Sequence, residues 1–339
     1  MPAIAPLTGH TALTSWQFAP QVSAILAVAA IGYLIGAVRV RRRHPARPWP
    51  VLRSASFLAG LATIALATQS SIGVYDDTLF WVHMVQHLLL VMVAPALLVA
   101  GRPVILLMHA WGNPVHRWAR RAVRSRLVTA LTCPPVALVI YTGVIVGTHL
   151  TSLMNLTLEH PWAHDGEHLL YLAAGYLFFL PLLGSEPIRW RMSMPGRFLL
   201  LAVAMPVDTF VGVVLNQTNH ELFPAYARAG RTWGPSLIAD LHAGGAVMWV
   251  GGDALMLGFI LIVFLSFLTD QREGNAGAWL ETARRNTLAE HAANAGLARV
   301  PAARVARHAT VDDDAHLAAY NAYLARLSGR AADDPPGER

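Results

Sequence analysis

Apolar residues run along this chain in long blocks rather than in alternation. Seven stretches, about 18–38, 54–74, 78–100, 127–149, 166–184, 197–217 and 238–268, carry almost no charge and are close to 20 residues long or longer. A helix of that length rises about 30 Å, the thickness of a bilayer's hydrocarbon core. The pattern predicts an all-α polytopic membrane protein in a lipid bilayer: a seven-transmembrane-helix bundle over 1–268, followed by a cytoplasmic tail over 269–339. The last stretch would extend about 46 Å as one helix, so its start is expected to project beyond the bilayer. In the tail, two helices are predicted at roughly 277–295 and 311–328, with Leu317, Tyr320, Leu324 and Leu327 on one face of the second.

Composition supports a membrane and charge supplies an orientation. Hydrophobic residues make up 55% of the chain and charged residues 14%, against about a quarter charged in soluble proteins. All 26 basic residues are arginines. Only Arg228 and Arg231 fall on one side of the predicted spans, and the other 24 lie on the opposite side or in the tail. The positive-inside rule then places the N-terminus outside and the tail in the cytoplasm. The net charge of +6 reflects that topology and is no argument for binding nucleic acid. Residues 1–16 lack the basic start and apolar centre of a cleavable signal, so the first helix is expected to insert uncut. The single cysteine, Cys133, excludes an intramolecular disulfide and any multi-cysteine metal site; its setting, TCPP, favours burial.

Against this apolar background the histidines are conspicuous. Nine of the fifteen, His10, His83, His87, His149, His160, His164, His168, His220 and His242, fall on the arginine-poor side or in the adjoining halves of helices. WVHMVQHLLL, residues 81–90, puts His83 and His87 one turn apart on one face. HPWAHDGEHLL, residues 160–170, contains the pattern H-x-x-E-H as His164, Glu167 and His168. ADLHAGGAVMWVGGD, residues 239–253, supplies Asp240, His242, Met248 and Asp253, and MPVDTF places Asp208 deep in the sixth span.

Polar side chains inside a membrane normally face the bundle interior and find partners there. Imidazoles converging from several helices suit a transition metal, and thioethers at Met84 or Met248 would favour Cu(I). The predicted metal ligands are therefore His83, His87, His164, His168 and His242, with copper ahead of zinc or haem. Glu167, Asp208 and Asp240 are expected to hydrogen-bond those imidazoles from behind, and Asp208 and Asp253 to face the interior as functional or pairing acids. H-x-x-E-H alone also fits a zinc hydrolase with Glu167 as general base, but that leaves His83 and His87 without a role. No enzymatic activity is predicted. Paired histidines would also suit axial haem ligation, and intramembrane acids an ion pathway, which makes a metal-ion transporter the alternative function.

Three segments carry a family resemblance. HMVQHLLLVMVAPALLVAGRP, residues 83–103, resembles the signature of the CtaG family of caa3-type cytochrome c oxidase assembly factors. HDGEHLLYLAAGYLFFLPLLG, residues 164–184, and DLHAGGAVMW, residues 240–249, are similar to two further motifs of that family, in the same order. The resemblance covers nearly all of residues 50–268. It implies a seven-helix protein of the bacterial cytoplasmic membrane that helps a haem–copper oxidase mature, through copper. The partners it implies are cytochrome c oxidase subunits and extracytoplasmic copper chaperones. It also implies His83, His87, His164, Glu167, His168 and Asp240 as the functional positions. After Asp240 many relatives would have a glutamine, whereas Leu241 and His242 follow here.

Overall fold

Several helices open at a proline, those that start at Pro20, Pro103, Pro134 and Pro161 among them. In a computed structural model the described residues are 5–268, apart from 113, 184, 185 and 191. The tail over 269–339, with its two expected helices, lies outside them. Among the described residues the secondary structure is helical, without strands. Six helices are long and apolar enough to cross a membrane: α1 Pro20–Arg43, α2 Val51–Tyr75, α3 Phe80–Ala110, α6 Pro161–Leu183, α7 Met194–Gln217 and α8 Leu237–Leu268. Between α3 and α6 lie α4 Pro134–His149 and α5 Leu153–Glu159, bent by 69° to one another, which make a seventh span if counted together. The bundle is thus an all-α polytopic membrane fold, and its residues up to Phe264 form one compact unit.

Two expected boundaries move, for identifiable reasons. The fourth block was expected to be helical from 127, yet α4 begins at Pro134 and Arg126–Leu131 is a separate short helix. Pro134 and Pro135 have no backbone N–H to donate, and a proline biases the residue before it away from helical geometry. The third block does not stop at 100. It restarts at Pro103 after Arg102, whose φ of 53° is left-handed. Glu186 makes the restart possible, because its two carboxylate oxygens accept the backbone N–H groups of Val104 and Ile105, donors that a fresh helix start leaves without partners.

α3 sits at the centre of the bundle: 56% of its most apolar window is buried, against 11% for α1 and 17% for α8. The exposed faces of the outer helices are apolar, with Ile25, Val28, Ile31 and Val38 on α1 and Leu257 and Leu261 on α8. Such continuous apolar surface belongs against lipid.

Two glycines fix how closely α3 is embraced. A Cβ on Gly175 of α6 would lie 2.0 Å from the carbonyl oxygen of Val91, in a wide π-helical turn of α3 spanning Leu89–Val93. A Cβ on Gly244 of α8 would lie 2.2 Å from the Phe80 ring and 3.1 Å from Met84. α3 and α6 both begin at the histidine end. From the Gly175–Val91 contact, eight residues back on each helix leads to Glu167 and His83. At 1.5 Å per residue both lie about 12 Å toward the same end, which brings them to one level.

Candidate metal centre

His83 and His87 stand one turn apart near the start of α3, and their Nε2 atoms are 2.8 Å from each other. Glu167 of α6 completes a triad: its Oε2 lies 3.7 Å from His83 Nε2 and its Oε1 3.7 Å from His87 Nε2. Both imidazoles are 0% exposed and Glu167 is 3% exposed. These distances fall within the span of about 4.2 Å that two ligands of one ion can have, at metal–ligand lengths of about 2.1 Å.

The tautomers follow from what lies behind the pair. The Ile145 carbonyl can only accept, so His149 Nδ1, 2.9 Å away, carries the proton. His149 Nε2 is then an acceptor, and His87 Nδ1 donates to it at 3.2 Å. That leaves the lone pair of His87 Nε2 facing His83 and Glu167. A relay of carbonyl, imidazole and imidazole is the usual way of orienting a metal-binding histidine. Tyr171 stacks on His87, with ring centroids 4.2 Å apart, and closes that flank.

A second group lies beside the first. His164 and His168, from the same H-x-x-E-H turn, have ring centroids 4.4 Å apart. His164 Nε2 is 3.8 Å from Asp76 Oδ2, and its Nδ1 is 3.8 Å from Asp77 Oδ1. Asp76, in the α2–α3 connection, is anchored by Gln86, whose Nε2 donates to it at 2.6 Å and to the Ala67 carbonyl at 2.9 Å. Burial pushes the Asp76 carboxyl up to about 7, with His83 opposing and Asp77 reinforcing the shift. The two groups meet where His83 stacks on His164, 5.3 Å between centroids.

The donor atoms are poised for a ligand they do not find in the protein. His83 Nδ1, His164 Nε2, His168 Nε2 and both oxygens of Glu167 are buried without a hydrogen-bond partner. Buried polar atoms are otherwise paired in the great majority of cases, since an unpaired one costs about 1–3 kcal/mol. Two sets of three potential ligand atoms, each set within 4.8 Å, result: His83, His87 and Glu167, and Asp76, His164 and His168. Nitrogen and oxygen donors of this kind fit a first-row transition ion such as copper or zinc.

Four of the five predicted ligands are therefore brought together, though in two sets rather than one. His242 is not with them: its Nε2 donates to the Thr218 carbonyl at 2.9 Å. The supporting residues also redistribute. Glu167 joins the imidazoles directly, whereas Asp240 accepts from Phe80 N, Trp81 N and Arg231 and touches no imidazole in that arrangement. Asp208 accepts from the Tyr141 hydroxyl, and Asp253 from Thr209, so both acids are tied to α4 and α7 hydroxyls. Met84 packs against Gly244 on the α8 side, and Met248 is a core residue. Sequence reasoning missed Asp76 and underweighted His149. The available signals were an acid in a short connection on the histidine side, and a histidine closing a span on that same side.

A family model described as "Cytochrome c oxidase caa3 assembly factor (Caa3_CtaG)" matches residues 31–270. Uncharacterized protein Mb0105 of Mycobacterium bovis and Uncharacterized protein MT0111 of Mycobacterium tuberculosis are each 31% identical over 332 residues, covering 95% of this chain and 46% of their own length. Uncharacterized protein ML1998 of Mycobacterium leprae is 29% identical, covering 93% of this chain and 45% of its own length. The chain thus spans less than half the length of these relatives. No solved structure matches it.

Proposed function

The chain belongs to the cytochrome c oxidase caa3 assembly factor family, and on that premise we propose that it carries a copper ion at His83, His87 and Glu167 for delivery to the oxidase. The observation that carries this reading is the bare carboxylate of Glu167, buried beside two imidazole nitrogens with neither oxygen hydrogen-bonded. A buried carboxylate is strongly disfavoured without a compensating charge. A cation between it and the imidazoles supplies that charge and takes the lone pairs of Glu167 and of the Nε2 atoms that face it.

The donor set suits a carrier. Two imidazoles and one carboxylate bind copper firmly, yet contain no thiolate that would hold it against transfer. His149 orients His87 from behind and keeps its free lone pair turned to the ion. By the arginine asymmetry the histidine end faces outward, the N-terminus is extracytoplasmic and the tail cytoplasmic, in the bacterial cell membrane. Copper would be received from an extracytoplasmic chaperone and passed to an oxidase subunit without chemical conversion by this protein.

Copper titration of the full chain in detergent tests the site. Wild type is expected to hold copper at His83, and His83→Ala, His87→Ala and Glu167→Gln each to lose that ion. Equal stoichiometry in all four proteins removes the proposed site. Deleting the gene and measuring oxidase activity with and without added copper tests the role, since rescue by copper is expected for a delivery factor. Steady copper flux through proteoliposomes would instead indicate a transporter.

A further inference from the structure

The outer group differs from the buried triad in two respects that bear on what it binds. It is more accessible: the His164 side chain is 14% exposed and that of Asp77 is 62% exposed, while the side chains of His83 and Glu167 are at 0% and 2%. It also carries more negative charge, because Asp77 stands on the far nitrogen of His164 while Asp76 stands on the near one. The donors that remain open, His164 Nε2 and His168 Nε2, are unpartnered and belong to the same helical turn as Glu167.

We propose that Asp76, His164 and His168 form a second ion site, for a divalent transition-metal ion, and that the buried triad is loaded through it. Imidazole and carboxylate without sulfur select borderline divalent ions such as Zn(II), Co(II) and Cu(II). Two carboxylates, Asp76 and Asp77, balance the two positive charges of such an ion, whereas the inner triad offers one carboxylate. The placement makes the outer site the antechamber. An ion arriving at the surface passes the exposed Asp77 to His164, and His164 is stacked on His83, the imidazole that begins the inner triad. H-x-x-E-H is thereby shared, its histidines going to the outer ion and its glutamate to the inner one. The outer site stands on its own donors; its role in loading rests on the reading of the inner triad given above.

The experiment is metal stoichiometry by mass spectrometry on the full chain in detergent after dialysis against Cu(II), with a Co(II) titration followed by its visible d–d bands. Wild type is expected to bind one more ion than His168→Gln, and one more than His83→Ala/His87→Ala. His168→Gln should fill its inner site at least tenfold more slowly than wild type. Asp76→Asn serves as a second outer variant, and unchanged thermal unfolding shows that each variant is folded. If His168→Gln and Asp76→Asn match wild type in both stoichiometry and Co(II) spectrum, the second site is overturned while the inner one stands. If the outer variants lose an ion and His83→Ala/His87→Ala does not, the outer site stands and the inner reading is overturned. Equal loading rates with the expected stoichiometries overturn the antechamber role alone.

Discussion

Glu167 and Asp240 are both acids buried at the histidine end of the bundle, 3% and 1% exposed, and they are used in opposite ways. Asp240 is saturated. It accepts the N–H groups of Phe80 and Trp81 at 3.1 Å each and pairs with Arg231 at 2.9 Å. The first turn of α3 needs those acceptors, because Leu79, which precedes it, has no side chain able to cap it. Glu167 accepts nothing from the protein and faces two imidazoles instead. Depth and chemical class are the same, so the difference lies in the partners: one acid holds the helix that presents the histidines, and the other waits for what the histidines bind.

The comparison breaks hardest at Asp240. Asp240→Ala would leave Arg231 without its acid and two backbone donors without their acceptor in the interior, and breaking a buried pair of this kind costs roughly 3–5 kcal/mol. A large fall in melting temperature in detergent is expected, with metal present or absent. Glu167→Gln is expected to do the reverse. It removes a charge whose protein neighbours are two imidazoles at 3.7 Å and no hydrogen-bond donor in closer contact, so thermal unfolding of the metal-free protein should shift little or upward, while the copper ion at His83 and His87 is lost. If Glu167→Gln unfolds the protein as Asp240→Ala does, the distinction between the two acids is lost.

One step further out, His149→Phe keeps the ring and removes the acceptor of His87 Nδ1–H. With the relay cut, the His87 ring can take the wrong tautomer. Copper affinity is expected to fall about tenfold, at the low end for such orienting partners, while His242→Phe, which breaks only a bond to the Thr218 carbonyl, should leave it unchanged. Competition against a chelating dye measures both. Equal losses in the two variants would mean that the His149 relay has no special part.

How much of this was legible depends on the reach of the relation. Spacing within one helix was enough to pair His83 with His87 and to put His164, Glu167 and His168 on one turn. It did not reveal that the turn divides between two groups, which depends on how α6 is rotated against α3 where Gly175 meets Val91. Asp76 lies in a connection with no period to mark it. Asp240 was expected behind an imidazole because its partners, backbone N–H groups 160 residues away, have no sequence signature. His242 failed for a related reason: its position in the last span fixed its level, but which neighbour its side chain meets depends on packing. The Pro134 break, by contrast, was written in TCPP and was lost only to the continuity of the apolar block.

Glu186 tests the comparison from the other end of α3, where the expected effect is smallest. Like Asp240 it receives two backbone N–H groups, from Val104 and Ile105, but among the described residues no cation is paired with it. Burial prevails over those two bonds, and over the more distant Arg102 and Arg53, and raises its carboxyl from 4.5 to about 7. A raised carboxyl holds its proton more tightly in the folded chain than in the unfolded one. The stability this contributes is complete below about 4.5 and is lost as pH rises toward 7, where the buried group must ionise. Melting temperature is thus expected to decline across that window in wild type and to decline less in Glu186→Gln, whose neutral amide still offers one oxygen to the restarted helix. A wild-type curve that instead rises between pH 4.5 and 7, with a flat one for Glu186→Gln, would mean that the two backbone donors alone are enough to hold Glu186 in its charged form.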